Sequence, residues 1–158
     1  MTSASQALAA GIGATQDEPH EALVRRFIAA VEQRDAEAYA ALFTEDAIAQ
    51  HPLVADPIRG REQIRASEQA LYDAFSNVRV ELRSLLARRD CCAMEVVLRA
   101  TNTGPLNMGD EQPVPATGRS VELPAVWWFE IADDGLIAAA RDYFDTATLM
   151  AQLGLGGQ

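Results

Sequence analysis

The chain has 158 residues, 49% of them hydrophobic and 23% charged, which fits one globular domain with a core large enough to stand unaided. Its formal net charge of -10 would repel phosphate backbones and anionic lipid surfaces, so nucleic acid and membrane partners are not expected. No stretch approaches the roughly 18 consecutive apolar residues that a membrane helix needs.

Met1 to Gln16 is small and polar, with neither the basic start nor the hydrophobic block of a secretory signal. Residues 1–17 read as a loose tail, and 18–158 as a single domain. From Pro19 to Arg34 the apolar residues Ala22, Leu23, Phe27, Ala30 and Val31 fall at helical spacing, with Glu18, Glu21 and Glu32 on the wet side. Asp35 is placed to cap a short second helix, Ala36 to Leu42. Thr44-Glu45-Asp46 reads as a break, Ala47 to Gln50 as a short strand, and His51 to Gly60, with two prolines, as a loop.

Arg61 to Phe75 predicts a second long amphipathic helix, with Ile64, Ala70, Leu71, Ala74 and Phe75 as core candidates. The period then changes from helical to strand-like. Val78 to Leu86 alternates, with Val78, Val80 and Leu82 opposing Arg79, Glu81 and Arg83. Cys91 to Thr103, Val121 to Ala132 and Leu136 to Phe144 give three further strands. Asp133-Asp134-Gly135 makes the hairpin turn between the last two. Thr146 to Leu153 closes the chain as a helix ended by Gly154.

The connection from Thr103 to Gly118 carries three prolines, and its length marks it as functional or mobile. Helices grouped ahead of a meander of long strands indicate α+β architecture, a strongly bent sheet wrapped over helices around a cone-shaped hollow.

The only cysteines, Cys91 and Cys92, are neighbours on a strand and point to opposite faces, so they do not readily bridge; they fit a reducing compartment, hence a cytoplasmic protein. There is no phosphate-binding glycine loop, no paired-cysteine zinc spacing, no His-Glu-x-x-His and no Gly-x-Ser-x-Gly. Gly11-Ile12-Gly13 lies in the tail and carries no phosphate signal. Two histidines, His20 and His51, are too few for a His-rich metal site, and no metal is expected.

The informative segment is Arg141-Asp142-Tyr143-Phe144-Asp145, which interrupts an apolar strand end. Alternation puts Ala140, Asp142 and Phe144 on one face and Arg141, Tyr143 and Asp145 on the other. Asp142 is then either a structural carboxylate paired to a cation, or a carboxylate desolvated by apolar walls, with the raised pKa that suits a general acid or base.

Several segments together resemble the SnoaL-like polyketide cyclases over about residues 20 to 155. They are Ala22-Leu23-Val24-Arg25-Arg26-Phe27, the turn Pro57 to Gly60 before Arg61, Pro115-Ala116-Thr117-Gly118-Arg119, Asp134-Gly135-Leu136-Ile137, the Arg141 to Asp145 run and Gln152-Leu153-Gly154. That fold group also holds nuclear transport factor two, scytalone dehydratase, ketosteroid isomerase and limonene-type epoxide hydrolase. The resemblance implies a cone-shaped, cystatin-like roll with an apolar pocket. It makes Asp142 the acid/base residue of a cyclase, or the water-activating aspartate of an epoxide hydrolase. Asp145, out of phase, faces away or caps the closing helix.

The chain departs from both patterns. The cyclases' helper histidine is replaced by Trp127. The hydrolases' second aspartate falls at Met94 or Val96, and their water-holding tyrosine and asparagine at Ala49 and His51. His51 becomes the second catalytic candidate, able to orient a water or polarise a carbonyl; the plain alternative is an exposed loop histidine. Trp127, Met94, Val96, Leu98, Phe27, Tyr72, Phe75 and Phe144 are expected to line the pocket.

The function implied is proton abstraction beside a carbonyl on a hydrophobic small molecule, leading to aldol cyclisation or isomerisation with no cofactor. Epoxide hydrolysis and a non-catalytic ligand-binding module are the alternatives, and an Asp142 pKa near about 3.9 would favour the last. The resemblance also implies a homodimer through the outer sheet face, where Trp128 and Tyr143 lie.

Overall fold

The computed structural model describes residues 18–109 and 112–156. The expected tail over 1–17 lies outside them. Helix α1 (Glu18–Gln33) is followed by α2 (Ala36–Ala40), β1 (Phe43–Gln50), β2 (Ile58–Arg59), α3 (Arg61–Ala74), β3 (Phe75–Arg88), β4 (Cys91–Asn102), β5 (Ser120–Ile131), β6 (Ile137–Phe144) and α4 (Thr146–Leu153). The strands form one mixed sheet in the order β2-β1-β6-β5-β4-β3, in which only β1 and β6 run parallel. This is the expected α+β architecture, a bent sheet wrapped over helices.

Helix α1 buries Leu23, Val24, Phe27, Ala30 and Val31, a stripe one position off the expected one because Ala22 faces solvent. Asp35 caps α2 as predicted, its Oδ1 accepting from the Ala38 N–H at 3.0 Å. β1 begins four residues before its predicted start. Glu45 and Asp46 mimic a turn in sequence, but they are the exposed residues of a strand whose buried positions are Phe43 and Ala47, with a bulge between Phe43 and Ile48. Arg61 ties the entry to α3 onto this strand, its Nε donating to the Phe43 carbonyl at 2.8 Å.

Two register shifts in β3, one beside Asn77 (φ 54°), bend the sheet so that its concave face encloses α1 and α3. Val78 is buried and Val80 half-buried. Leu82 is 41% exposed, because β3 is the sheet edge and the second shift lies just beyond it. Cys91 is half-buried and Cys92 buried, both free. Gly135 (φ 82°) makes the β5–β6 turn, and Asp145 caps α4, accepting from the Ala147 N–H at 3.1 Å.

A polar knot fixes the end of α3. The buried Asn102 amide donates to the carbonyls of Ala74 (3.0 Å) and Gly104 (2.9 Å), and its Oδ1 accepts from the Thr117 N–H at 2.7 Å. A Cβ at Gly104 would lie 2.0 Å from the Asp73 carbonyl oxygen, so only glycine allows this approach. Asn102→Ala would strand these groups and lower stability by about 2–4 kcal/mol, read as a drop in the urea midpoint at unchanged m-value.

Candidate active site

Strand pairing assembles the site. Asp142 on β6 stands directly opposite Trp127 on β5. On its other side the parallel ladder pairs Ala49 with Ala140 and Gln50 with Arg141, so the next residue of each strand, His51 and Asp142, come side by side. Their side chains meet, with His51 Nε2 3.5 Å from Asp142 Oδ2. The Leu53 N–H donates to His51 Nδ1 at 3.3 Å. An accepting nitrogen carries no proton, so the neutral ring holds its proton on Nε2, facing the carboxyl. Phe144 packs edge-on to the imidazole, with ring centroids 5.4 Å apart.

Both groups face a cavity of about 150 Å³ between the concave sheet and the helices. Its apolar walls include Phe27, Val31, Ile64, Leu71, Phe75, Leu98, Trp127, Phe129 and Phe144. Of the expected liners, Phe27, Tyr72, Phe75, Leu98, Trp127 and Phe144 are in the wall, together with Asp142 and His51. Met94 and Val96 are not. They point inward on β4 but are wholly enclosed by the packed core, which leaves them no surface to offer a ligand; β4 reaches the cavity only at Leu98 and Ala100. No described residue of the Thr103–Gly118 connection lines the cavity.

The sequence reading missed Glu68 and Tyr39. Glu68 stands on the apolar stripe of α3, four residues after Ile64 and four before Tyr72, and its carboxyl lines the cavity with the hydroxyls of Tyr39 and Tyr72 turned toward it. A glutamate among inward-facing positions was the available signal. The Tyr72 hydroxyl is buried and short of an ideal hydrogen bond, yet close enough to steady the Glu68 carboxylate.

Electrostatics follows from this burial. Every basic residue of the chain apart from its two histidines is an arginine. Among the described residues no arginine forms an ion pair with Asp142 or Glu68, and His51, beside Asp142, is held neutral by burial. Arg141 instead donates to Glu130 (3.0 Å) and lies 5.8 Å over the Trp128 ring, on the outer face. Burial, reinforced by the nearby Glu68 charge, pushes Asp142 up to about 7, against the pull of the Trp127 indole and the Tyr143 backbone N–H. Burial likewise pushes Glu68 up to about 7 against the two tyrosines, and pushes His51 down to about 4. A second hollow of about 140 Å³, bounded by Gln50, Pro52, Asp56, Arg141 and Tyr143, lies across the wall that His51 and Asp142 form.

The description of the SnoaL-like domain matches residues 24–140. The chain belongs to the SnoaL-like domain family. No curated protein matches the sequence significantly. A candidate SnoaL-like polyketide cyclase from Jannaschia sp. CCS1 is 19% identical with a TM-score of 0.77, the match covering 93% of this chain and 99% of that one. SalBIII, an epoxide hydrolase/cyclase-like enzyme with a role in pyran ring formation in the polyether salinomycin, is 23% identical (TM-score 0.67, 85% and 97% covered). A protein of ketosteroid isomerase-like fold from Catenulispora acidiphila, solved with trimethylamine, is 20% identical (TM-score 0.67, 84% and 92% covered). At these identities the likeness is one of fold. Among the described residues no helix is long and apolar enough to cross a membrane.

The raised Asp142 pKa sets a pH signature on the SnoaL-like domain. Between the unfolded value near about 3.9 and the folded value near 7, the native state binds more protons than the unfolded chain, so this group's contribution to stability falls as pH rises through that window. Glu68 acts in the same direction, whereas the lowered His51 opposes them between about pH 4 and 6.5. Asp142→Asn should therefore gain stability over the parent chain from pH 4 to pH 7 and then level off, by on the order of 2–4 kcal/mol in urea titrations.

Proposed function

We propose that this SnoaL-like protein is a cofactor-independent enzyme that uses Asp142 as general acid/base on a hydrophobic, carbonyl-bearing small molecule, in an aldol cyclisation or an isomerisation. The observation that carries this reading is the Asp142 carboxyl, held in an apolar cavity without a cationic partner among the described residues and poised near neutrality. Such a group gives a proton to a carbonyl oxygen or takes one from the adjacent carbon at physiological pH. The resulting enol then attacks a second carbonyl within the same molecule, or is reprotonated at a different carbon.

The Trp127 indole can donate a hydrogen bond but cannot accept a proton, so it does not replace a helper histidine in kind. Its N–H steadies Asp142, and His51 Nε2 lies 3.5 Å from the same carboxyl on the other side. Cavities of about this volume hold compact ring systems, which points to a small cyclic or ring-forming substrate rather than an extended polyketide. Cyclisation or isomerisation is favoured over epoxide hydrolysis, because Met94 and Val96 occupy the strand positions of the second hydrolase aspartate and are wholly buried.

We further propose a cytoplasmic homodimer joined through the outer sheet face. Two free cysteines suit a reducing compartment. On the outer sheet face Leu86 is 54%, Val126 40% and Tyr143 54% exposed. Val126→Glu should turn a dimer into a monomer in sedimentation equilibrium; a parent chain that is monomeric at all concentrations overturns the assignment.

The proton chemistry is testable without the natural substrate. Small cyclic ketones incubated in D2O should exchange their α-hydrogens in the presence of the protein, followed by proton NMR. Asp142→Asn should slow that exchange by about 100-fold or more. Unchanged exchange in the variant overturns the role of Asp142, and diol formation from cyclic epoxides would move the reading to hydrolysis.

A further inference from the structure

We propose that Glu68 is the second catalytic residue of this site, the base that works opposite Asp142 acting as acid, with the two carboxyls holding one proton between them in the resting cavity. This rests on the acid/base reading of Asp142 above and assigns the other half of the proton traffic.

A glutamate on the inward stripe of a helix has no reason to be there for packing, since a leucine would fill the same space without a desolvation penalty. Glu68 projects from α3 into the same cavity that Asp142 enters from β6, so a ligand in the hollow meets both carboxyls. Their charges interact, since the Glu68 carboxylate helps hold the proton on Asp142. Two largely enclosed carboxyls with no arginine paired to either cannot both ionise cheaply, so they titrate as a coupled pair.

The surroundings divide the roles. Glu68 has the hydroxyls of Tyr39 and Tyr72 turned to it, both of which favour its charged form. Asp142 Oδ1 is buried with no hydrogen-bond partner, while Oδ2 faces the His51 Nε2–H. A buried carboxyl oxygen without a donor is costly when charged, which favours a proton on Asp142 over one on Glu68. Trp127 and the Tyr143 backbone N–H also face Asp142, and Asp35 adds its charge to the field at Tyr72.

The step balances without a co-reactant. Glu68 carboxylate takes the proton from the carbon next to the carbonyl as that C–H bond breaks. Asp142 gives its proton to the carbonyl oxygen as the new O–H bond forms. The product is the neutral enol, with Glu68 protonated and Asp142 charged. The reverse transfers, made at a different carbon, complete an isomerisation. Attack of the enol carbon on an internal carbonyl completes a cyclisation, with the Glu68 proton passing to the new alkoxide and the enol proton returning to Asp142.

The test uses the whole chain with carbon-13 at the aspartate and glutamate side-chain carboxyls, titrated by NMR between about pH 4 and pH 9. In the parent chain Glu68 should ionise first and Asp142 last. In Glu68→Gln, the Asp142 titration should drop by about one pH unit or more as the neighbouring charge is lost, and in Asp142→Asn Glu68 should titrate in a single step. In the ketone exchange assay Glu68→Gln should lose about 100-fold or more, with partial rescue by Glu68→Asp.

An Asp142 titration unmoved by Glu68→Gln, or ionisation of Asp142 before Glu68, overturns the assignment. So does full exchange in Glu68→Gln, which leaves the Asp142 reading standing. Exchange lost in Glu68→Gln but kept in Asp142→Asn overturns both. If no ketone exchanges in the parent chain, the acid/base reading has failed its own test, and the titration alone decides whether the pair shares a proton.

Discussion

Placing a carboxyl group in a mostly apolar hollow, with no arginine paired to its charge, is the constraint around which this molecule is arranged. Asp142 sits on a strand that is hydrogen-bonded on both sides, so its backbone is held and the side chain stays at the wall of the hollow. The walls that desolvate it come from separate parts of the chain, with α1 supplying Phe27, α3 supplying Leu71, β4 supplying Leu98 and β5 supplying Trp127 and Phe129. None of these elements shields the carboxyl alone. The hollow exists only because the bulged sheet bends far enough to meet the helices, so the proton affinity of one side chain depends on the curvature of the whole sheet.

Much of this was legible in the sequence, and the exceptions have identifiable causes. A period of two is a strong local signal, so the inward direction of Asp142 and Trp127 and the outward direction of Tyr143 could be read from neighbours alone. His51 could be named but not placed. It follows the end of β1, and what brings it to Asp142 is a parallel pairing between strands almost ninety residues apart, which no local pattern reveals. Glu68 was passed over because the apolar letters of α3 define a stripe without it. A charged residue on such a stripe reads as a boundary of the pattern rather than as a member. Met94 and Val96 show the converse failure: alternation gives the correct face, but it does not say whether that face meets a hollow or solid core.

The β5–β6 pair shows how one ladder serves two environments. Trp127 and Asp142 meet across it on the inside, and Trp128 and Arg141 meet across the next rung on the outside. Arg141 is the cation nearest in sequence to Asp142, yet strand geometry sends its guanidinium to Glu130 and the Trp128 ring. Had the register slipped by one residue, the arginine would have entered the cavity and pulled the aspartate back toward an ordinary carboxylate. The specificity of pairing thus sets the charge inside the hollow as well as its packing.

The thin partition made by His51 and Asp142 has a further consequence. The same two side chains border both the apolar hollow and a separate, more polar outer recess, so the Asp142 carboxyl stands between two unlike environments. A change of solvent or ions in the recess therefore reaches the carboxyl from behind, without passing through the apolar hollow.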